Sequence, residues 1–284
     1  MTVVAVAQIE PIIGETERNV DKSLEFCVRA ADQEAKLIVL PELCNTGYTF
    51  SSRDEANALA EPVPEGPTAM AWLEFCRDSG AYIVAGITEE DNGKLFNSSV
   101  VLGPRGHVGT FRKLHLWNRE NLFFEPGDRG CPVFHLPFGR IATFICYDGW
   151  FPELYRLATI QGADLLCVPT NWVPIPGQAE GQQAMANILC MANAHSNSVF
   201  IAAADRVGVE RGQPFVGQSL IVAPTGWPVA GPASEDKEEL LIADIDLTDA
   251  RTARDWNDFN QPIRDRRTDF YGETLGADVT VGWY

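Results

Sequence analysis

Short apolar runs alternate with amphipathic stretches along the first half of the chain, the pattern of a layered α/β protein. Runs at 3–7, 37–40 and 82–87 read as strands, and those at 98–102 and 107–112 flank Gly-Pro-Arg-Gly, a hairpin signal. Val20, Leu24, Cys27 and Ala31 recur at intervals of three and four, so this segment is expected to lay one helical face on the sheet. A second helix is expected over 67–79, with Ala69, Leu73 and Cys76 facing inward. The second half repeats the alternation, with strands at 141–145, 165–168, 199–203, 220–222 and 240–245. A helix follows Pro152, carrying Leu154, Leu157 and Ala158, and another spans roughly 182–194. The Pro- and Gly-rich places at 174–181 and 224–232 have only loop length, and no repeat or linker divides the chain. One domain over 1–271 is expected, with a polar, aromatic tail at 272–284 packed on the body or at a dimer interface.

Composition narrows the class. Of the 284 residues 45% are hydrophobic, which supports a packed core, while the longest apolar stretches fall short of the ~20 residues a membrane span needs. Lys and Arg number 22 against 39 Asp and Glu, a net charge of −17 that opposes binding to nucleic acid. Residues 1–8 lack a basic n-region and read as a strand rather than a signal peptide, so a cytoplasmic location is expected. Seven cysteines without regular spacing fit free thiols in a reducing compartment. Cys27, Cys76, Cys167 and Cys190 sit in apolar runs and are expected in the core.

Three chemically distinct residues are placed at strand ends. Pro41 cannot donate to a ladder, which puts Glu42 just beyond a strand; Lys113 follows the hairpin, and Cys146 follows the run at 141–145. In open α/β sheets functional groups gather beyond the carboxyl ends of strands. A thiol, a carboxylate and an ammonium would supply a nucleophile, its base and a cation for a developing oxyanion. Taken singly, a Glu, Lys or Cys after a strand is more often solvated or packed than catalytic. Other constellations are poor: Gly217-Gln218-Ser219-Leu220-Ile221 lacks the final Gly of a nucleophile elbow, and Gly103, Gly106 and Gly109 precede no helix. The four histidines are scattered and Cys131 with His135 is an isolated pair, so no metal is expected.

Three motifs, in order, carry a resemblance. They are Leu40-Pro41-Glu42-Leu43 with Thr46-Gly47-Tyr48, Arg112-Lys113-Leu114-His115-Leu116, and Cys146-Tyr147-Asp148 with Phe151-Pro152-Glu153. Their spacing resembles that of the nitrilase superfamily of carbon-nitrogen hydrolases. Phe124-Glu125-Pro126-Gly127-Asp128, Asp205-Arg206-Val207-Gly208 and Asp265-Arg266-Arg267 are similar too, so the likeness runs from Val3 to about Tyr271.

The resemblance implies a four-layer α-β-β-α sandwich, a homodimer or larger homo-oligomer, and no metal or organic cofactor. It makes Cys146 the nucleophile, Glu42 the general base, and Lys113 the cation that meets the tetrahedral intermediate with the Tyr147 backbone N–H. It also makes Glu120 a second glutamate orienting Lys113 or the substrate; the residues alone equally allow a loop carboxylate paired with Arg119 or Arg129. His115 is expected to brace its loop by hydrogen bonding. Tyr48, Trp117, Tyr147, Trp150 and Trp172 flank the motifs, suggesting an aromatic pocket for a small uncharged acyl group, with Asn171 as a polar contact. Some of these rings suit the core as well. Arg206 is read as half of a structural ion pair with Asp205 nearby, and Asp205 stands where Asn is common in the family.

Cys-Tyr-Asp looks like the amidase and carbamoylase branches, whereas classical nitrilases tend to carry Cys-Trp-Glu. The expected activity is hydrolysis of a small carboxamide to acid and ammonia through a cysteine thioester. The alternatives are a nitrilase acting on small aliphatic nitriles, an N-carbamoyl amide hydrolase, and a catalytically silent binding protein of the same fold.

Overall fold

The computed structural model describes residues 1–177 and 181–275. Two six-stranded sheets stack face to face with helices on both outer faces, the α-β-β-α sandwich that the motifs implied. The first sheet runs in the order Glu239–Ile245, Thr2–Gln8, Leu37–Val39, Tyr82–Asp91, Lys94–Gly103, Gly106–Arg112. The second runs Pro228–Ala230, Leu220–Val222, Phe200–Ala204, Leu165–Pro169, Gly139–Thr143, Phe134–Leu136. In each, three adjacent strands are parallel and the flanking pairs antiparallel.

Successive side chains of a strand point to opposite faces, and this alternation sorts the apolar residues into layers. Ala5, Ala7, Ile38, Ile83 and Ala85 meet the helices of the first sheet, while Val4, Val6, Leu37, Val39 and Val84 meet the second sheet. Ala142, Leu166 and Ile201 likewise face helices, and Ile141, Leu165, Cys167 and Phe200 face the first sheet. Burial on both faces explains why these strands read as unbroken apolar runs.

Helix Thr16–Ala31 buries Val20, Ser23, Phe26, Cys27 and Ala30, a stripe slightly rotated from the expected one. The rotation has a polar cause: Ser23 turns inward to accept the indole N–H of fully buried Trp72 at 2.8 Å. That bond ties the helix to its neighbour Pro67–Ser79, which opens on Pro67 and ends at Gly80 with φ +75°. Several elements depart from expectation. Pro228–Ala230 is a strand inside the stretch read as loop; Phe134–Leu136 and helix Arg53–Leu59 were not anticipated. The helix expected at 182–194 spans Met185–Asn197. The last described element is helix Thr268–Leu275, and residues 276–284, most of the expected tail, lie outside the described residues.

A parallel bridge between Ile9 and Arg206 links the two sheets beyond Thr2–Gln8 and Phe200–Ala204. These strands therefore run the same way, and the carboxyl ends of both parallel sets open on one edge of the sandwich. Gly106–Arg112, antiparallel to a strand that is itself antiparallel to Tyr82–Asp91, ends on that edge as well.

Candidate active site

Glu42 leaves the first sheet through Pro41, whose carbonyl accepts Gly86 N–H at 3.0 Å. The turn lies so close to the next strand that a Cβ on Gly86 would stand 2.4 Å from Glu42 Cα. Only glycine leaves room for it. Lys113 is fixed by its N–H to Asn97 O, 2.9 Å, and by its predecessor Arg112. That guanidinium is buried over the Phe96 ring and bonds Glu89, Asp91 and Asp128 at 2.5, 2.6 and 2.9 Å. Cys146 adopts φ +47°, an uncommon conformation for a residue with a side chain, at the start of the 3-10 turn Cys146–Trp150. In that turn the Tyr147 N–H is among the first-turn donors that have no intrahelical acceptor. Asp148 joins the two motifs: one oxygen accepts His115 N–H at 2.9 Å and lies 2.7 Å from His115 Nδ1, and the other accepts Ile145 N–H at 3.2 Å. His115 also stacks on Phe151, ring centroids 3.5 Å apart.

The strand ends bring Glu42, Lys113 and Glu120 into direct contact. Lys113 Nζ donates to Glu42 Oε1 at 2.7 Å and to Glu120 Oε1 at 2.8 Å, with all three side chains buried. Asn97 donates to the same Glu42 oxygen at 2.7 Å, and Tyr48 OH donates to Glu120 Oε1 at 2.6 Å. Glu120 Oε2 accepts Trp117 N–H at 3.1 Å. Glu120 is thus a buried partner of Lys113, not a loop carboxylate paired with Arg119 or Arg129. Among the described residues Glu42 Oε2 has no hydrogen-bond partner although it is buried.

These contacts set the protonation states. Burial pushes the Glu42 carboxyl up to about 7, against the downward pull of Lys113. Burial also drives the Cys146 thiol well above its ordinary range, helped by the negative charge of Glu42 and opposed by Lys113. The Lys113 ammonium rises despite burial because Glu120 and Glu42 both stabilise its charge. The site therefore holds a neutral thiol, a permanent cation and a carboxylate poised to exchange a proton near neutrality.

Cys146 lines a small, mostly apolar pocket with Trp117, Tyr147, Trp150, Asn171, Trp172, Val173 and Ile175. Tyr48 lies apart from it, in an adjoining larger cavity whose wall includes Trp117, Glu120, Arg119 and Arg211. Trp172 is 3% exposed yet contributes to the pocket wall, and Asn171 donates to Glu42 O at 3.0 Å. Asp205 does not pair with Arg206 through its carboxylate: Oδ1 accepts the backbone N–H groups of Trp172 and Arg206, both at 2.9 Å. The Arg206 guanidinium turns to Glu210, 2.7 Å, and Pro11 O, 2.7 Å. Sequence reasoning missed Asn97. The signal was Asn97-Ser98-Ser99, a polar run buried within an otherwise apolar strand.

A four-layer sandwich with this set at its strand ends is the architecture of the nitrilase superfamily, a class of enzymes. Residues 3–255 match the family described as Carbon-nitrogen hydrolase. The chain is 43% identical over 272 residues to a protein named nitrilase from Pyrococcus abyssi, covering 95% of this chain and 99% of that one. It is 33% identical to the N-carbamoylputrescine amidase of Solanum lycopersicum, with 89% of each chain covered. A carbon-nitrogen hydrolase from Helicobacter pylori G27 superposes with a TM-score of 0.86 at 26% identity, over 97% of this chain and 98% of that one. The chain belongs to the carbon-nitrogen hydrolase family.

Proposed function

We propose that the protein hydrolyses a small carboxamide to a carboxylic acid and ammonia through a thioester on Cys146. The observation that carries this reading is the buried Glu42–Lys113–Glu120 set, in which one Glu42 oxygen has no partner among the described residues; Glu42 raises the Cys146 thiol's titration and Lys113 lowers it. The thiol proton passes to Glu42 Oε2 as sulfur attacks the amide carbon. Lys113 and the Tyr147 N–H meet the oxyanion, a kind of contact worth roughly 10²–10³ in rate per donor. Glu42 returns the proton to the leaving nitrogen, the carbon-nitrogen bond breaks, and ammonia departs. Glu42 then deprotonates a water that attacks the thioester, and the returning proton restores the thiol. No step calls for a metal or an organic cofactor. Trp117, Tyr147, Trp150, Asn171 and Trp172 hold the acyl group, and Tyr48 acts through Glu120.

A nitrile is the second reading, supported by the 43% identity to a relative bearing the name nitrilase. A carbamoyl group is the third, from the N-carbamoylputrescine amidase relative. The protein works in the cytoplasm on this reading, as a single domain over 1–271; its seven free thiols support a reducing, intracellular setting. It associates through the outer helices of the second sheet as a homodimer or larger assembly.

The test is ammonia release on matched pairs of propionamide and propionitrile, benzamide and benzonitrile, and an N-carbamoyl amino acid, with Cys146→Ala as blank. Amide turnover lost in the variant, with an acyl mass trapped on the Cys146 peptide after acid quench, is the expected result. Faster turnover of nitriles transfers the same residues to the nitrilase reaction. Silence across the panel with an iodoacetamide-resistant Cys146 favours a silent binding protein.

A further inference from the structure

We infer that Glu210, with Arg206 as its counter-ion, is a positioning residue for the active site: it holds the 47–49 turn so that Tyr48 keeps its hydrogen bond to Glu120. Glu210 lies 162 residues from Tyr48 in the chain, in the short hairpin of Val209–Glu210 and Gln213–Pro214. Its Oε2 accepts three hydrogen bonds, from Tyr48 N–H at 2.8 Å, Thr49 N–H at 2.6 Å and the Thr49 hydroxyl at 2.9 Å. Its Oε1 takes Arg206 at 2.7 Å. Both side chains are at least 95% buried, so the carboxylate is not screened by solvent. The rear of the clamp is equally fixed. The Arg206 guanidinium donates to Pro11 O and lies 4.1 Å from the centroid of Phe215, whose ring meets Tyr48 edge-on at 5.9 Å.

The chain of contacts runs on without a gap. Tyr48 OH reaches Glu120 Oε1 at 2.6 Å, and the same oxygen accepts Lys113 Nζ at 2.8 Å. A buried carboxylate collecting three donors from two consecutive residues costs desolvation that an apolar side chain would avoid, and Arg206 offsets it. What the arrangement supplies is a fixed register for Gly47-Tyr48-Thr49. Gly47 belongs to the same fit, since a Cβ there would stand 2.7 Å from Glu210 Oε1. Tyr48 touches the Lys113 network, whereas Glu210 acts only through it.

The inference rests on the hydrolase reading, so its test has one readout that needs no turnover. The second-order rate of Cys146 alkylation by iodoacetamide, read on the Cys146 peptide, and kcat on the preferred substrate are measured for Glu210→Gln, Tyr48→Phe and the double variant. Removing the charge frees the turn, so Glu210→Gln is expected to lower both rates about tenfold with KM little changed, and to change neither further in the Tyr48→Phe background. Thr49→Val removes one of the three bonds and keeps the ion pair. It is expected to give a smaller loss of the same kind, and it decides the matter if Glu210→Gln does not fold. A loss of equal size in both backgrounds makes Glu210 a general structural residue and overturns the inference, as do wild-type rates in both variants. Absence of turnover in the wild type with a coupled alkylation cycle counts against the hydrolase reading and leaves the positioning role standing.

Discussion

The Lys113 ammonium bonds one oxygen of the Glu42 carboxylate at 2.7 Å, and the other has no partner among the described residues. The asymmetry divides labour within one side chain: Oε1 is held by Lys113 and Asn97, and Oε2 is free to take a proton. Because burial outweighs the cation, the carboxyl titrates at about 7. A raised carboxyl is protonated below that value and is a base only above it. With Glu42 as the base, kcat/KM is expected to fall about tenfold per pH unit below 7 and to level off above it. The thiol and Lys113 both titrate well above their ordinary values, so neither contributes a limb near neutrality. A profile flat from pH 5 to 8 would remove Glu42 from this role.

Lys113 also separates two buried carboxylates. Lys113→Ala leaves Glu42 and Glu120 facing each other with no cation, and removing one member of a buried pair costs about 3–5 kcal/mol. A lowered urea midpoint and loss of turnover are both expected. Glu120→Gln is milder, since an amide oxygen can still accept from Lys113. With the Gln NH2 now against the Trp117 N–H, it is expected to fold with a small loss of stability and to lose roughly 10–100-fold in kcat, the scale of losing a group that orients a catalytic one. Equal effects of the two substitutions on stability would contradict the central place of the cation.

The layers and the strand-end residues were legible in the sequence for a physical reason. Strand period, Pro41 and the apolar runs are local signals, and they put Glu42, Lys113 and Cys146 at strand termini. The partners of these residues were not legible in the same way. Asn97 meets Glu42 across 55 positions, and Glu210 meets Tyr48 across 162, so no window of sequence contains both halves of either contact. Glu120 was ambiguous because a loop carboxylate beside Arg119 reads alike whether it faces solvent or Lys113. Arg206 does form an ion pair, but with Glu210 four positions on, because the adjacent Asp205 carboxylate is taken by backbone N–H groups.

Gly86 carries no functional group yet is expected to be needed for activity. Its Cβ would sit 2.4 Å from both Glu42 Cα and Leu43 N, and neither backbone atom belongs to a flexible side chain that could move aside. Gly86→Ala therefore pushes the Glu42 turn, at a cost of about 1–3 kcal/mol for overpacking. A fall in kcat out of proportion to the loss of thermal stability is the expected signature, measured by kinetics and melting on the same preparation. Wild-type kcat in a folded Gly86→Ala protein would show that the turn tolerates displacement.

The outer helices of the second sheet present apolar side chains to solvent. Leu157 and Ile160 on Pro152–Ile160, with Met185 and Ile188 on Met185–Asn197, are each more than 40% exposed. The surface continues into the C-terminal region, where Trp256 stacks on His195 at 5.4 Å and Tyr271 and Leu275 border a cleft with Arg156. Exposed apolar side chains on two neighbouring helices of a protein of net charge −17 suit a second copy of the same face related by two-fold symmetry. Leu157→Asp puts a charge on that exposed apolar surface. Wild-type protein is expected to sediment as a dimer or larger, and Leu157→Asp to shift toward monomer with circular dichroism unchanged. A monomeric wild type across the micromolar range would leave this face to another partner.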